Sequence, residues 1–292
     1  MIKVAIYGEI LDKKHHQAIQ LFFEQMQVFK IECVIFEKYK EIIDPIVSFK
    51  GDIKTFSNKS DLETFNVNYM ISIGGDGTML NSFRLLFNTE IPVFGINTGR
   101  LGFLSNVSTD RVNWALNELV AGRFSNRIRS VLEINCSGQD EKLYAVNEVA
   151  IHKQDTSSML TIHAKLNDVE LTSYWADGVL ISTPTGSTAY SLSCGGPIVM
   201  PGSENFLVTP IAPHNLAVRP LVYRDDKILK LEVESRSDKF LLAYDSNSIT
   251  LSSDQMVSIK KAPFYIHLLK FEDYSYLNML RSKLMWGADK RN

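Results

Sequence analysis

Three glycines bracket a single aspartate in Gly74-Gly75-Asp76-Gly77, and Thr78 follows. The apolar run Met70-Ile71-Ser72-Ile73 stops at this point and a helical pattern begins at Thr78, so the segment reads as strand end, tight loop and helix start. A loop of this kind can cradle a phosphate. Its glycines let a ligand approach the backbone, and the amides and helix dipole favour an anion. Asp76 can then act on whatever lies beside the phosphate. The same residues also fit a plain strand-to-helix turn with Asp76 as its cap. A second glycine-marked strand end, Asn97-Thr98-Gly99-Arg100-Leu101-Gly102, follows the apolar stretch 91–96 and weighs against a cap alone.

The other concentration of chemistry lies in the second half. Asp177-Gly178 precedes an apolar strand that ends in Ser182-Thr183-Pro184-Thr185-Gly186-Ser187-Thr188-Ala189-Tyr190-Ser191-Leu192-Ser193, where eight of twelve side chains carry a hydroxyl. Short donors and acceptors around a glycine suit a ribose or a base edge; a solvated connector is the plainer reading. Asn147-Glu148 places an amide and a carboxylate side by side in an otherwise apolar strand, on opposite faces, so at least one meets the interior or a cleft. An unpaired buried carboxylate is costly, so a ligand or a fixed donor is expected there. Ser-His-Asp catalysis is disfavoured, because there is no G-x-S-x-G elbow and the histidines are scattered.

Strands and helices must position these groups. Residues 2–7 read as a buried strand. Residues 13–30 read as a helix with Ile19, Phe22, Phe23, Met26 and Phe29 on one face, and 31–36 as a second strand. The stretch 37–56 has no clear period. A short helix over 60–65, capped by Ser60 with Glu63 in the capping-box position, leads to a strand at 67–73. A helix over 78–87, a strand at 91–96 and a helix over 110–122 follow. Strands alternating with helices imply a parallel sheet with ligands beyond its carboxyl ends. After residue 122 the grammar changes to successive short strands, at 128–136, 143–152, 159–166, 169–174, 178–183, 217–222, 228–233, 240–243 and 256–260, with a hairpin turn at Asn167-Asp168. A strand at 264–269 and a helix over 274–286 close the chain. The expected organisation is an α/β domain over 1–109, joined by the tail 264–292, and a β-rich, sandwich-like domain over 110–263.

Composition excludes several classes. A chain of 292 residues, 45% apolar and 22% charged, is an ordinary globular protein of two cores. A formal net charge of −2 leaves no basic surplus for a nucleic acid. Cys33, Cys136 and Cys194 form neither a disulfide framework nor a C-x-x-C site, and Cys194 reads as a small space-filler. Residues 1–7 read as a strand rather than a signal peptide. No apolar run is long enough to span a bilayer, so a cytoplasmic location and no membrane partner are expected.

Taken together, Gly74 to Thr78, Gly95-Ile96-Asn97 with Leu101-Gly102-Phe103-Leu104, Asn147-Glu148, Asp177-Gly178 and Ser182 to Tyr190 resemble the ordered signature of bacterial NAD kinases. His214 with Arg219-Pro220-Leu221, Asp245-Ser246 and Asp273-Tyr274-Ser275-Tyr276 extend the resemblance towards the carboxyl terminus. The first motif alone is shared with lipid kinases and resembles phosphofructokinase loops. The resemblance implies a phosphotransferase that moves the ATP γ-phosphoryl group to the 2′-hydroxyl of the adenosine ribose of NAD, giving NADP. It further implies a phosphofructokinase- or diacylglycerol-kinase-like α/β domain, a β-rich NAD-binding domain and a homotetramer or homodimer assembled through the β domains.

By that resemblance Asp76 is the catalytic carboxylate, and Gly74, Gly75, Gly77 and Thr78 approach the ATP phosphates. Asp76, Gly77, Asn147 and Glu148 hold the dinucleotide. Asp177 and Ala189 are expected near the nicotinamide; Thr185, Thr188 and Tyr190 near adenosine; and Ser193 and Ala212 in the same NAD site. Many relatives carry a basic residue where this chain has Trp175, which is placed either at the substrate end or at a subunit contact. No dedicated metal cage is evident, so Mg²⁺ or another divalent cation is expected to arrive on the nucleotide. A ribose hydroxyl is far less acidic than a carboxylic acid, so Asp76 is expected to orient it and take its proton late; holding the metal is the alternative role. A lipid kinase would explain the glycine loop but not Asn147-Glu148 or the hydroxyl-rich segment. A dinucleotide sensor would not need Asp76.

Overall fold

Val4-Ala5-Ile6-Tyr7 is apolar at successive positions, as a strand covered on both faces requires. In the computed structural model it lies in β1 (Lys3–Gly8), with Val4, Ala5 and Ile6 wholly buried. The structure describes residues 1–49, 51–99, 102–105, 107–154, 158–215, 217–271 and 275–285. Arg100, Leu101, Asp273, Tyr274 and Trp286 lie outside the described residues. The chain divides into two units, Met1–Arg127 with His267–Asn292, and Ile128–Ile266.

The first unit is a mixed α/β domain. It continues through α1 (His16–Val28), β2 (Glu32–Phe36), α2 (Glu37–Ile43), β3 (Thr55–Phe56), α3 (Lys59–Thr64), β4 (Tyr69–Ile73), α4 (Asp76–Phe83), β5 (Val93–Asn97), β6 (Val107–Ser108) and α5 (Val112–Val120). Its strands run parallel in the order β5-β4-β1-β2-β3. The chain moves outward from β1 to β3, then returns to β4 and continues to β5, so the order reverses between β1 and β4. Ligands of such sheets bind beyond the carboxyl ends at the reversal, which here carry Gly8-Glu9 and the glycine loop. The apolar stripe of α1 (Ile19, Phe22, Phe23, Met26) and that of α5 (Val112, Ala115, Leu116, Leu119) join the same core as β1, β4 and β5. This packing places α5 in the first unit, although the change of grammar in the sequence begins near it.

The second unit is mostly β. In order it contains β7 (Ser125–Cys136), β8 (Leu143–Ala145), β9 (Glu148–Lys153), β10 (Leu160–Leu166), β11 (Val169–Ala176), β12 (Gly178–Ser182), α6 (Tyr190–Ser193), β13 (Asn205–Ile211), β14 (Leu221–Arg224), β15 (Leu229–Glu234), β16 (Lys239–Tyr244), β17 (Asn247–Ser252) and β18 (Val257–Lys270). One antiparallel sheet has the order β14-β13-β12-β9-β16-β17; another set runs β11-β10-β15-β18, with β7 and β8 alongside. Ile162 and Ala164 of β10, Leu229 and Leu231 of β15, Val179 and Ile181 of β12 and Phe240 and Leu242 of β16 meet in one core, so the two layers form a sandwich. Strand β18 passes out of this unit; in the first unit its Leu268 pairs parallel with Val93, and α7 (Tyr276–Leu284) follows.

Local expectations differ from the structure in several places. Asn58, not Ser60, caps α3, through a reciprocal box with Asp61. The stretch 143–152 is two strands broken at Val146-Asn147, whereas 256–260 and 264–269 are one strand. The period-free stretch 37–56 contains α2, and β13 and β17 were not anticipated. The strand expected at 217–222 is β14, four residues later.

Candidate active site

Helix α4 starts at Asp76, and its N-cap is Gly75, which supplies no side-chain acceptor. The amides of its first turn therefore lack an intrahelical partner. Asp76 does not cap the helix; its carboxylate reaches across to the segment after β5. Phe103 N–H donates to Oδ2 at 2.7 Å, and Leu104 and Ser105 N–H donate to Oδ1 at 3.1 and 2.9 Å. A Cβ at Gly102 would overlap that carboxylate, so only glycine permits the approach. Ser105 Oγ donates to Gly74 O at 3.1 Å, and buried Asn97 donates from Nδ2 to Ser105 O at 3.2 Å. The two glycine-marked strand ends are thus tied together around Asp76. Gly75 and Gly77 are exposed and face open space, while Thr78 packs against Gly74.

Across the reversal in strand order lies a group that sequence reading missed. Asn81 of α4 donates from Nδ2 to Glu9 Oε1 at 2.8 Å and Oε2 at 3.1 Å, and the Tyr7 hydroxyl donates to Glu9 Oε1 at 2.8 Å. Burial, followed by Glu9, pushes the Tyr7 phenol well above its ordinary value. The available signal was Gly8-Glu9 at the end of a buried strand.

In the second unit the hydroxyl-rich segment sorts into two sets. Ser182, Thr183, Ser187 and Ser191 are wholly buried and bonded within the protein. They shape the segment rather than line a site, which corrects the reading of all eight as lining. Thr185, Thr188, Ala189, Tyr190 and Ser193 remain accessible. Tyr190 stacks on His152 with ring centroids 5.8 Å apart, and burial depresses the His152 pKa. Asp177 pairs with Lys153 at 2.6 Å. Ala212, just past β13, is exposed with φ 44. Trp175 is 51% exposed and packs on His214, ring centroids 4.9 Å apart.

Asn147-Glu148 sits where β8 breaks from β9, not within a continuous strand. Its amides, with that of Val146, are held by Asp245, whose role the sequence had not disclosed. Glu148 Oε2 is closed to solvent and has no hydrogen-bond partner. Burial, then the Asp245 charge, raises its pKa to about 8. A buried acceptor left open in this way is suited to a ligand hydroxyl.

Comparison with known proteins covers both units. Residues 12–124 match the ATP-NAD kinase N-terminal domain, and residues 146–271 the ATP-NAD kinase C-terminal domain. The chain is 42% identical to the NAD kinase of Christiangramia forsetii over 295 aligned positions, covering 100% of both chains. It is 41% identical to that of Cytophaga hutchinsonii, covering 99% of each. Among solved structures, yeast NADH kinase complexed with NADH superposes with a TM-score of 0.88 at 24% identity, covering 99% of this chain and 89% of that one. An NAD kinase from Archaeoglobus fulgidus in complex with ATP gives 0.73 at 24% identity, covering 97% and 99%. The fold is therefore that of NAD(H) kinases, and the sequence matches span both halves at identities well above those of the structural neighbours; this chain belongs to the NAD kinase family.

Proposed function

We propose that this chain transfers the γ-phosphoryl group of ATP to the 2′-hydroxyl of the adenosine ribose of NAD, giving NADP, with Asp76 as the catalytic carboxylate. The observation that carries the assignment is the state of that carboxylate. Three amides fix its position, yet Oδ2 accepts only one of them and keeps a lone pair for a further donor. A ribose hydroxyl donating there is oriented for attack and gives up its proton as the bond to phosphorus forms. The uncapped first turn of α4, with Gly74, Gly75, Gly77 and Thr78, receives the phosphates. Of the structural neighbours, the yeast NADH kinase is complexed with NADH and the Archaeoglobus fulgidus NAD kinase with ATP, which supports a dinucleotide and a nucleoside triphosphate as the two ligands of this fold.

In this reading Asn147 and Glu148 hold the dinucleotide, with Asp76 and Gly77 at its reacting ribose. Asp177 and Ala189 serve the nicotinamide end, Thr185, Thr188 and Tyr190 the adenosine, and Ser193 and Ala212 complete the set. Exposed Trp175 with His214 makes an aromatic ledge for a subunit contact, in keeping with a homotetramer or homodimer built through the β units. Among the described residues no group of three or more His, Cys, Asp or Glu could hold a metal. Both Asp76 oxygens already face amides. Mg²⁺, or another divalent cation, would then arrive on the nucleotide and would supply neutralisation of phosphate charge there. Among the described residues no helix is long and apolar enough to cross a membrane, and we assign the enzyme to the cytoplasm.

Incubation with ATP, Mg²⁺ and NAD, read by an NADP-specific coupled dehydrogenase, tests the activity. Asp76→Asn should lower turnover by about 10²–10⁴ at saturating Mg²⁺, the usual worth of general-base catalysis. A loss of less than about tenfold removes the base role.

A further inference from the structure

Asp245 lies in the tight turn joining β16 to β17, with its backbone in the left-handed region (φ 45) that aspartate tolerates better than most residues. Its Oδ2 accepts Val146 N–H at 2.7 Å; its Oδ1 accepts Asn147 and Glu148 N–H at 2.8 and 3.2 Å. Its own N–H donates to Glu148 O at 3.0 Å. On the other side Thr183 Oγ1 donates to Val146 O at 2.6 Å and Thr183 N–H donates to Asn147 O at 2.9 Å. A Cβ at Gly186 would overlap the Asn147 backbone, so that wall is closed as well. Every backbone polar group of residues 146–148 is claimed, and all three donors end on one carboxylate.

We infer that Asp245 is a positioning residue for the dinucleotide: by holding the three amides of the β8–β9 break it aims the Asn147 and Glu148 side chains at the substrate. The inference rests on the NAD kinase reading and goes beyond it, since Asp245 acts through its neighbours. A carboxylate suits the post because it offers only acceptors. Asparagine has one acceptor oxygen and would turn an NH₂ group towards amide donors. Charge adds a second effect. Asp245 faces Glu148 and, after burial, is the next cause of its raised proton affinity. Tyr190 and Cys194 face Glu148 from the segment after β12 and feel its charge.

The test is steady-state kinetics of Asp245→Asn against the unaltered enzyme between pH 6 and 9. The KM for NAD should rise about tenfold or more, equivalent to about 1.4 kcal/mol or more, while the KM for ATP stays within about twofold. The Glu148-linked break in the pH profile of the NAD KM, expected near 8 in the unaltered enzyme, should move to lower pH. A variant that merely loosens the fold would not move that break, and in a Glu148→Gln background the same substitution should have no break to move while the NAD KM still rises through Asn147. An unchanged NAD KM and pH profile overturns the inference while leaving the kinase reading intact; an unaltered protein that makes no NADP overturns that reading instead. Asp245→Ser, which retains one acceptor, serves if the asparagine variant does not fold. If neither folds, Asp245 is a determinant of the fold and the positioning role is wrong.

Discussion

A Cβ added to Gly75 would meet nothing within 4 Å, and its backbone (φ −90, ψ −169) is open to any L-residue. Neither conformation nor protein packing requires glycine there; a phosphate approaching the backbone would favour it, because no side chain then stands in the way. Gly75→Ala should cost stability no more than about 1 kcal/mol, the range for a change of N-cap residue. It should raise the KM for ATP about tenfold, which is about 1.4 kcal/mol, and change the KM for NAD by less than about twofold. A thermal melt and two KM determinations check this; an unaltered ATP KM means no phosphate comes near that amide. At this scale residue type was legible and partnership was not. Asp76 stood out by its glycines, but the amides that hold it come from residues 103–105, and the role of Asp245 depends on residues nearly a hundred positions earlier. The hydroxyls after β12 looked equivalent in sequence, yet burial assigned four of them to the scaffold.

Among the elements, the cap of α3 shows how two sequence signals can compete. Ser60…Glu63 and Asn58…Asp61 share the capping-box spacing. The second wins because Asp61 also accepts Ser57 N–H at 2.8 Å, fixing the chain that enters the helix. Asn58→Ala should therefore destabilise the fold by about 1 kcal/mol in chemical denaturation and leave the kinetics untouched; a destabilisation below about 0.3 kcal/mol would mean the box is not formed. Strand β13 was hidden by Pro210, which argues against a central strand. The proline is tolerated because β14 pairs only with residues 205–208, so the missing N–H falls beyond the ladder. The β8–β9 break was hidden because Ala145-Val146 and Val149-Ala150 are apolar on both sides of it, and what interrupts the strand is a carboxylate from a distant hairpin.

For the whole molecule, the alternation of strands and helices followed by short strands disclosed two kinds of unit, because periodicity reports burial. The unit limits were less legible, since α5 is decided by packing into the first core. Function couples to the protonation state of the second unit. Glu148, ordinarily near 4.5, is held at about 8. Between those values the folded chain binds a proton that the unfolded chain has released, so its contribution to stability is complete below about 4.5 and is lost as pH rises through about 8. Asp245, also raised by burial despite its three amides, acts in the same direction. The melting temperature of the ligand-free protein should therefore fall across this window, and less steeply in Glu148→Gln. In the proposed reading, NAD reverses the preference. A ribose hydroxyl donating to the Glu148 carboxyl group, whose Oε2 has no partner within the protein, would favour the carboxylate, so binding should release a proton and affinity should rise with pH up to about 8 and then level off. Isothermal titration at neutral pH in two buffers of different ionisation enthalpy measures the release directly. It should approach one proton per NAD near neutrality, vanish well above pH 8 and be absent in Glu148→Gln. Proton uptake instead would mean that Glu148 meets the dinucleotide as a neutral donor, and equal release by the glutamine variant would place the proton on another group.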